Sequence, residues 1–342
     1  MIGRKTISVL VLALLVIWGC RKDDTINPAV QSNPFALPVG FPAITYPQDN
    51  EFSEARWELG KKLFYDNILS VNRTISCASC HKASLAFSDD VAFSDGVENR
   101  PGTRNAPTLA NVAYHPYYTR EGGVPTLEMQ VLVPVQEHNE FDFNIVTAGE
   151  RLQEDSVYVA MSLKAYGRTP DYYVITRALA NFERTLISGN SPYDKYVYQG
   201  QKNALTTDEQ AGMNLFFSNK TNCSGCHSGF NFTNYAFENN GLYTNYTDIG
   251  RKRLTGNPED EARFKVPTLR NIALTAPYMH DGSFLTLNEV VEHYNKGGFA
   301  HPNKSELVKP LGLTDSEKEQ LIAFLKSLTD EEFVTNKIFK GE

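Results

Sequence analysis

The sequence predicts a mainly α-helical chain of two tandem domains with long loops. Three observations support this. The pentapeptide Cys-x-x-Cys-His occurs twice, as Cys77-Ala78-Ser79-Cys80-His81 and as Cys223-Ser224-Gly225-Cys226-His227. A longer segment also occurs twice. Asn105-Ala106-Pro107-Thr108-Leu109-Ala110-Asn111-Val112-Ala113 matches Lys265-Val266-Pro267-Thr268-Leu269-Arg270-Asn271-Ile272-Ala273 at a constant offset of 160 positions. Finally, apolar residues recur with the helical period, whereas alternating strand patterns are sparse.

Each pentapeptide reads as a c-type haem attachment site. Two thiols form thioethers to the porphyrin vinyl groups, and the adjacent His reaches the iron as proximal ligand. This assigns Cys77, Cys80 and His81 to one haem, and Cys223, Cys226 and His227 to a second. A zinc ribbon would need its two knuckles about 15–20 residues apart, and these lie 146 apart. A thioredoxin-like pair would need a βαβ context, which is not visible. A disulfide within each pair would leave the following His unexplained. A few helices around an apolar porphyrin give each half the class I cytochrome c-like design, in which the haem supplies core that the sequence lacks.

The elements follow in order. Arg4 and Lys5 precede an apolar run from Ile7 to Trp18 and then Gly19-Cys20. This reads as a signal peptide over 1–20, too short to span a membrane. Ile17-Trp18-Gly19-Cys20 resembles a lipobox, which makes Cys20 a lipid-anchoring residue; the plainer alternative is ordinary secretion. Arg21-Lys22-Asp23-Asp24 resembles a surface-export signal, although a solvated linker is the simpler reading. The proline-rich stretch 21–47 is predicted as an extended tether. Helices are predicted over Ser53–Tyr65, capped by Ser53, over Asp171–Leu186 and over Thr207–Phe217. The last begins at the capping box Thr314-Asp315-Ser316-Glu317 and carries a stripe of Leu321, Ile322, Phe324, Leu325 and Leu328. The repeat extends to Tyr118–Gly122 on Tyr278–Gly282 and to Thr126-Leu127 on Thr286-Leu287. The expected domains are therefore 48–195 and 196–342.

The formal charge is −7, and removing Arg4 and Lys5 makes it −9. An acidic surface argues against nucleic acid. It is compatible with a basic electron-donor protein, but most soluble exported proteins are acidic too. A homodimer is compatible with the sequence.

With these motifs the chain resembles the bacterial di-haem cytochrome c peroxidases and the related MauG enzymes, over about Glu51 to Thr329. Further motifs carry the likeness: Arg104-Asn105-Ala106-Pro107-Thr108, Phe264-Lys265-Val266-Pro267-Thr268-Leu269-Arg270-Asn271, Pro277-Tyr278-Met279-His280-Asp281-Gly282 and Ala323–Thr329. The resemblance implies that the N-terminal haem reduces hydrogen peroxide. It implies that the C-terminal haem takes electrons from a small cytochrome c or cupredoxin. It places Gln130 and Glu140 as the distal pair over the peroxidatic haem, where one group moves a proton between peroxide oxygens and another holds the peroxide. Taken alone, Glu140 would read as a solvated loop charge; His138 is the nearby alternative base. It also implies a calcium ion held by the Asn105 side chain and the carbonyls of Thr275 and Pro277, since hard oxygen ligands suit calcium.

Two departures stand out. Many members have a His in the loop before Arg-Asn-Ala-Pro, whereas 87–102 contains none and the matching position is near Val97. The Trp that lies between the haems in the family falls on Arg120, so a relay would pass through Tyr117, Tyr118 or directly. The sixth ligand of the second haem stays open among Tyr294, His293, Met279 and a water-bound site. Tyr294 falls on the peroxidase Met, where MauG enzymes use a Tyr. His280 reads as a hydrogen-bonding residue and His301 as a loop residue. Three functions follow: a peroxide reductase, a MauG-like oxidase of a protein or small organic substrate, and a non-catalytic electron carrier. The N-terminal segment predicts a bacterial cell-envelope, periplasmic location, anchored to the outer membrane through Cys20, with surface exposure as an option.

Overall fold

The computed structural model describes residues 35–341. The expected signal peptide over 1–20 and its Cys20 lie outside the described residues. Thirteen helices are found there in chain order: α1 Glu54–Tyr65, α2 Cys77–Cys80, α3 Leu127–Gln130, α4 Leu132–Gln136, α5 Ile145–Gln153, α6 Ser156–Tyr166, α7 Tyr172–Glu183, α8 Pro192–Val197, α9 Thr207–Phe216, α10 Lys252–Thr255, α11 Leu287–Lys296, α12 Asp315–Lys326 and α13 Glu331–Thr335. The only sheet among these residues is β1 Phe237–Glu238 antiparallel to β2 Phe264–Lys265, with Phe237 opposite Lys265. No helix of the described residues is long and apolar enough to cross a membrane.

The predicted helices form where their caps allow. Ser53 accepts from the backbone N–H of Arg56 at the start of α1. Thr206 with Glu209 opens α9, and Thr314 with Glu317 opens α12, each as a capping box. Among the longer helices outside the predicted set, α5 and α6 had no clear signal. In α6 apolar residues lie on every side, so no stripe marks a face. The nine residues of α5 are too few for a convincing period.

The duplication is visible in packing as well as in sequence. In the first half α1 crosses α7, and in the second α9 crosses α12. At the first crossing a Cβ on Gly60 would lie 1.9 Å from the Ala178 carbonyl oxygen; at the second, a Cβ on Gly212 would lie 1.8 Å from that of Gln320. Only glycine permits backbones so close. The same aromatic group seals both crossings. Phe64 packs on Phe182 at 5.1 Å and on Phe87 at 5.9 Å; Phe216 packs on Phe324 at 5.1 Å and on Phe232 at 5.9 Å. The isolated bridges Tyr118–Val124 and Tyr278–Phe284 are likewise equivalent.

Residues from Leu37 onward form one compact unit. The later part of the expected tether is therefore docked rather than extended. Phe41 stacks edge-on against Phe230 at 4.8 Å, and the Pro42 carbonyl accepts from the Tyr114 hydroxyl at 3.0 Å. Burying an aromatic ring outweighs the extended preference of the flanking prolines. Helix α8 places Tyr193 in the C-terminal core, with Phe216, Phe232 and Phe324. Its Asp194 makes a fully buried bidentate ion pair with Arg270, at 2.8 and 2.9 Å.

Candidate active site

The repeated Pro-Thr-Leu segments hold the proximal histidines. Thr108 donates to the Ala86 carbonyl at 2.5 Å, and Thr268 to that of Asn231 at 2.7 Å. Each threonine thereby pins the loop that follows a Cys-x-x-Cys-His. That loop presents a carbonyl to the imidazole: Phe87 to His81 Nδ1 at 2.8 Å, and Phe232 to His227 Nδ1 at 3.1 Å. Occupying Nδ1 fixes the tautomer that leaves Nε2 for iron. Burial lowers both imidazole pKa values, which keeps them neutral and able to ligate. All four motif thiols are free. The donor set therefore fits a covalent haem in each half.

Beside His227 lies a cavity walled by Leu287, Val291, Leu321 and Leu325, an apolar lining suited to a porphyrin. Tyr294 and Met279 both line it. Asn240 Nδ2 donates to Met279 Sδ at 3.2 Å and lies 3.5 Å from Tyr294 Oη. Burial pushes the Tyr294 phenol up to about 12. His293 Nε2 instead faces the Asn240 carbonyl at 3.0 Å, outside this lining. That removes His293 from the ligand alternatives. Asn240 had no sequence signal, because Asn239-Asn240-Gly241 reads as a turn.

In the first half Gln130 ends α3, and its Oε1 is buried with no hydrogen-bond partner. A buried carbonyl without a donor is an expensive arrangement unless a ligand completes it. Glu140 is half-buried; burial, with Glu137 nearby, pushes its carboxyl up to about 7. Burial also raises the thiols of Cys77 and Cys80, and the Glu140 charge adds to both, which places it by the haem attachment site. Val97, at the position of the missing His, is fully buried, and its N–H donates to the Glu140 carbonyl at 2.9 Å. His138 is exposed and pairs with Asp142 at 3.2 Å, so it is not an alternative base.

A further carboxyl was missed. Burial pushes Glu183 up to about 8, and its charge bears on Cys77. The signal existed: Glu183 continues the stripe of Ile175, Leu179 and Phe182 along α7, an acid on an apolar face.

The expected calcium set does not fit a divalent ion. The Asn105 carbonyl accepts from Arg120 Nη2 at 2.7 Å, and Asn105 Oδ1 from the same nitrogen at 3.2 Å. A guanidinium thus holds Asn105 Oδ1, the only side-chain oxygen of that set.

Residues 54–203 match the family description "Di-haem cytochrome c peroxidase", and 209–329 match "Cytochrome c". The methylamine utilization protein MauG of Methylorubrum extorquens is 33% identical over 293 residues, covering 84% of this chain and 82% of that protein. The chain belongs to the di-haem cytochrome c peroxidase and MauG family. The cytochrome-c peroxidase IdrP1 of Pseudomonas sp. is 34% identical, covering 94% of this chain and 92% of that one. A crystal structure described as a MauG-like protein associated with microbial copper homeostasis superposes with a TM-score of 0.85 at 35% identity, covering 89% of this chain and 97% of that one. As a member of this family the chain is an oxidoreductase with two haem c groups and a mainly helical di-haem fold.

Proposed function

We propose that the chain reduces hydrogen peroxide to water in its N-terminal half, with electrons entering at the C-terminal half from a small cytochrome c or cupredoxin. The observation that carries this reading is the Glu140 carboxyl, pushed up to about 7 beside Cys77 and Cys80, and a buried Gln130 Oε1 without a hydrogen-bond partner in the same half is consistent with it. A haem bound there supplies redox-active iron for the reaction. Glu140 takes the proton from one peroxide oxygen and returns it to the other, so that water can leave. Gln130 Oε1 accepts a hydrogen bond from the peroxide O–H and orients it. Buried Val97 offers no nitrogen ligand, so peroxide should react without prior reduction of the protein. An electron carrier without catalysis would have no use for this pair. Domain limits of 48–195 and 196–342, an envelope location and anchoring through Cys20 belong to the same proposal.

Between the halves, His115 packs 6.1 Å from Tyr118 and 5.3 Å from Tyr235, ring to ring. His115 Nε2 is buried and has no hydrogen-bond partner. This aromatic series supports a relay through Tyr118 in place of the absent Trp. The test is steady-state peroxide consumption with a panel of reduced cytochromes and cupredoxins. Turnover with at least one donor is expected; peroxide inertness with all of them would refute the reading.

A second reading, oxidation of a protein or small organic substrate, is favoured by Tyr294 in the cavity beside His227. A phenolate ligand lowers the potential of ferric haem relative to a thioether. Under that reading Tyr294→Phe changes the ligand field of one haem only and raises its potential, as seen by spectroelectrochemistry. If Met279→Leu has that effect and Tyr294→Phe has none, the thioether is the ligand and the simple peroxidase remains.

A further inference from the structure

We propose that the Arg120 guanidinium is the resident cation between the two halves, standing in place of a divalent metal. Arg120 reaches the Asn105 carbonyl with two nitrogens, Nη2 at 2.7 Å and Nε at 3.3 Å, and Asn105 Oδ1 with Nη2 at 3.2 Å. A calcium ion on Asn105 Oδ1 would have to displace the Nη2 contact to that oxygen or sit against the guanidinium charge. It also needs six to eight oxygen ligands, typically including carboxylates.

The nearby carboxylates are engaged elsewhere, so a metal here would be left with Asn105 Oδ1, main-chain carbonyls and water. Glu121 is shared between Arg104 and Arg253. Asp248 takes a fork from Arg104, at 2.6 and 2.9 Å. Asp281 accepts from the Tyr243 hydroxyl at 2.6 Å and from the Ser283 N–H at 3.1 Å. Arg120 itself makes no ion pair among the described residues, and burial, with Arg104 beside it, pulls its pKa down to about 10. It lines the cavity beside His227. The carboxylates of a haem bound there are the counter-charge this guanidinium is placed to take. Arg120 also ties the halves together, because its carbonyl accepts from the Lys265 N–H at 2.7 Å. A single side chain thus does what a bound ion would do, bridging oxygens of one half to the cavity of the other.

The inference rests on geometry and on no assumption about the reaction, so it can fail while the peroxidase reading stands. The experiment is calcium analysis of the di-haem protein after dialysis against EGTA, with melting temperature and haem absorption followed with and without added calcium. The parent should hold far less than one calcium per chain, and neither readout should respond to calcium. Arg120→Gln should acquire a calcium-dependent rise in melting temperature. One retained calcium per parent chain, or a variant no more responsive than the parent, would overturn the proposal. If Arg120→Gln does not fold, the metal content of the parent decides alone.

Discussion

Replacing Glu140 with Gln should lower peroxide turnover by about 10²–10⁴, the range typical of a lost general acid–base group, with haem content unchanged. The amide keeps the shape of the side chain and cannot carry the proton. The pH profile gives a second signature. With the carboxyl at about 7, the proton-accepting form is fully present above that pH and is lost as pH falls through it. Turnover should therefore rise with pH across neutrality in the parent, and that limb should vanish in Glu140→Gln. Gln130→Ala should cost less, because it removes positioning and leaves the proton route intact. Stopped-flow mixing with peroxide across pH would measure all three proteins. A Glu140→Gln variant with parental rates would remove this residue from the mechanism.

Asp194→Ala should destabilise the protein by about 3–5 kcal/mol, as expected when one partner of a buried ion pair is removed. Both side chains are fully buried, and the Arg270 guanidinium would keep only the Phe230 carbonyl. The same carboxylate also accepts from the Ser191 N–H and hydroxyl at the start of α8, so its half of the capping box would be lost with the pair. Replacing both partners with apolar residues should cost less than Asp194→Ala, because no charge is then stranded. Urea unfolding of the di-haem protein would check both. A single-variant loss near zero would mean that water reaches Arg270 in solution.

Much of this was legible in the sequence, and the reasons differ by residue. The haem ligands were readable because attachment needs Cys-x-x-Cys-His in consecutive order. The helices with a cap and a stripe, α1, α7, α9 and α12, were readable from local chemistry. Arg120 was visible only as a substitution. Its grip on Asn105 is a contact over 15 positions that depends on two loops meeting, and no local pattern encodes it. Asn240 was invisible for a similar reason, because its amide matters only once β1 and α11 face one cavity. The docking of Phe41 escaped notice because proline content speaks of backbone preference and is silent on where one ring will bury. Glu183 was legible in principle, as an acid on the buried face of α7.

The seam between the halves carries one more consequence. Ser188 N–H donates to Asn111 Oδ1 at 2.8 Å, and Asp330 N–H donates to Asn271 Oδ1 at 2.8 Å, so the two occupy equivalent places. They also meet each other, Ser188 Oγ to Asp330 Oδ2 at 3.2 Å. That contact marks a pseudo-dyad. In a true symmetric dimer, a residue on the dyad faces its own copy, and an aspartate there would face another aspartate. Covalent fusion lifts that constraint, and a serine can answer the acid. The same freedom let one copy keep a glutamate beside its haem-binding motif while the other placed a tyrosine and a methionine. Unequal halves are open to this chain because its two copies need not be identical.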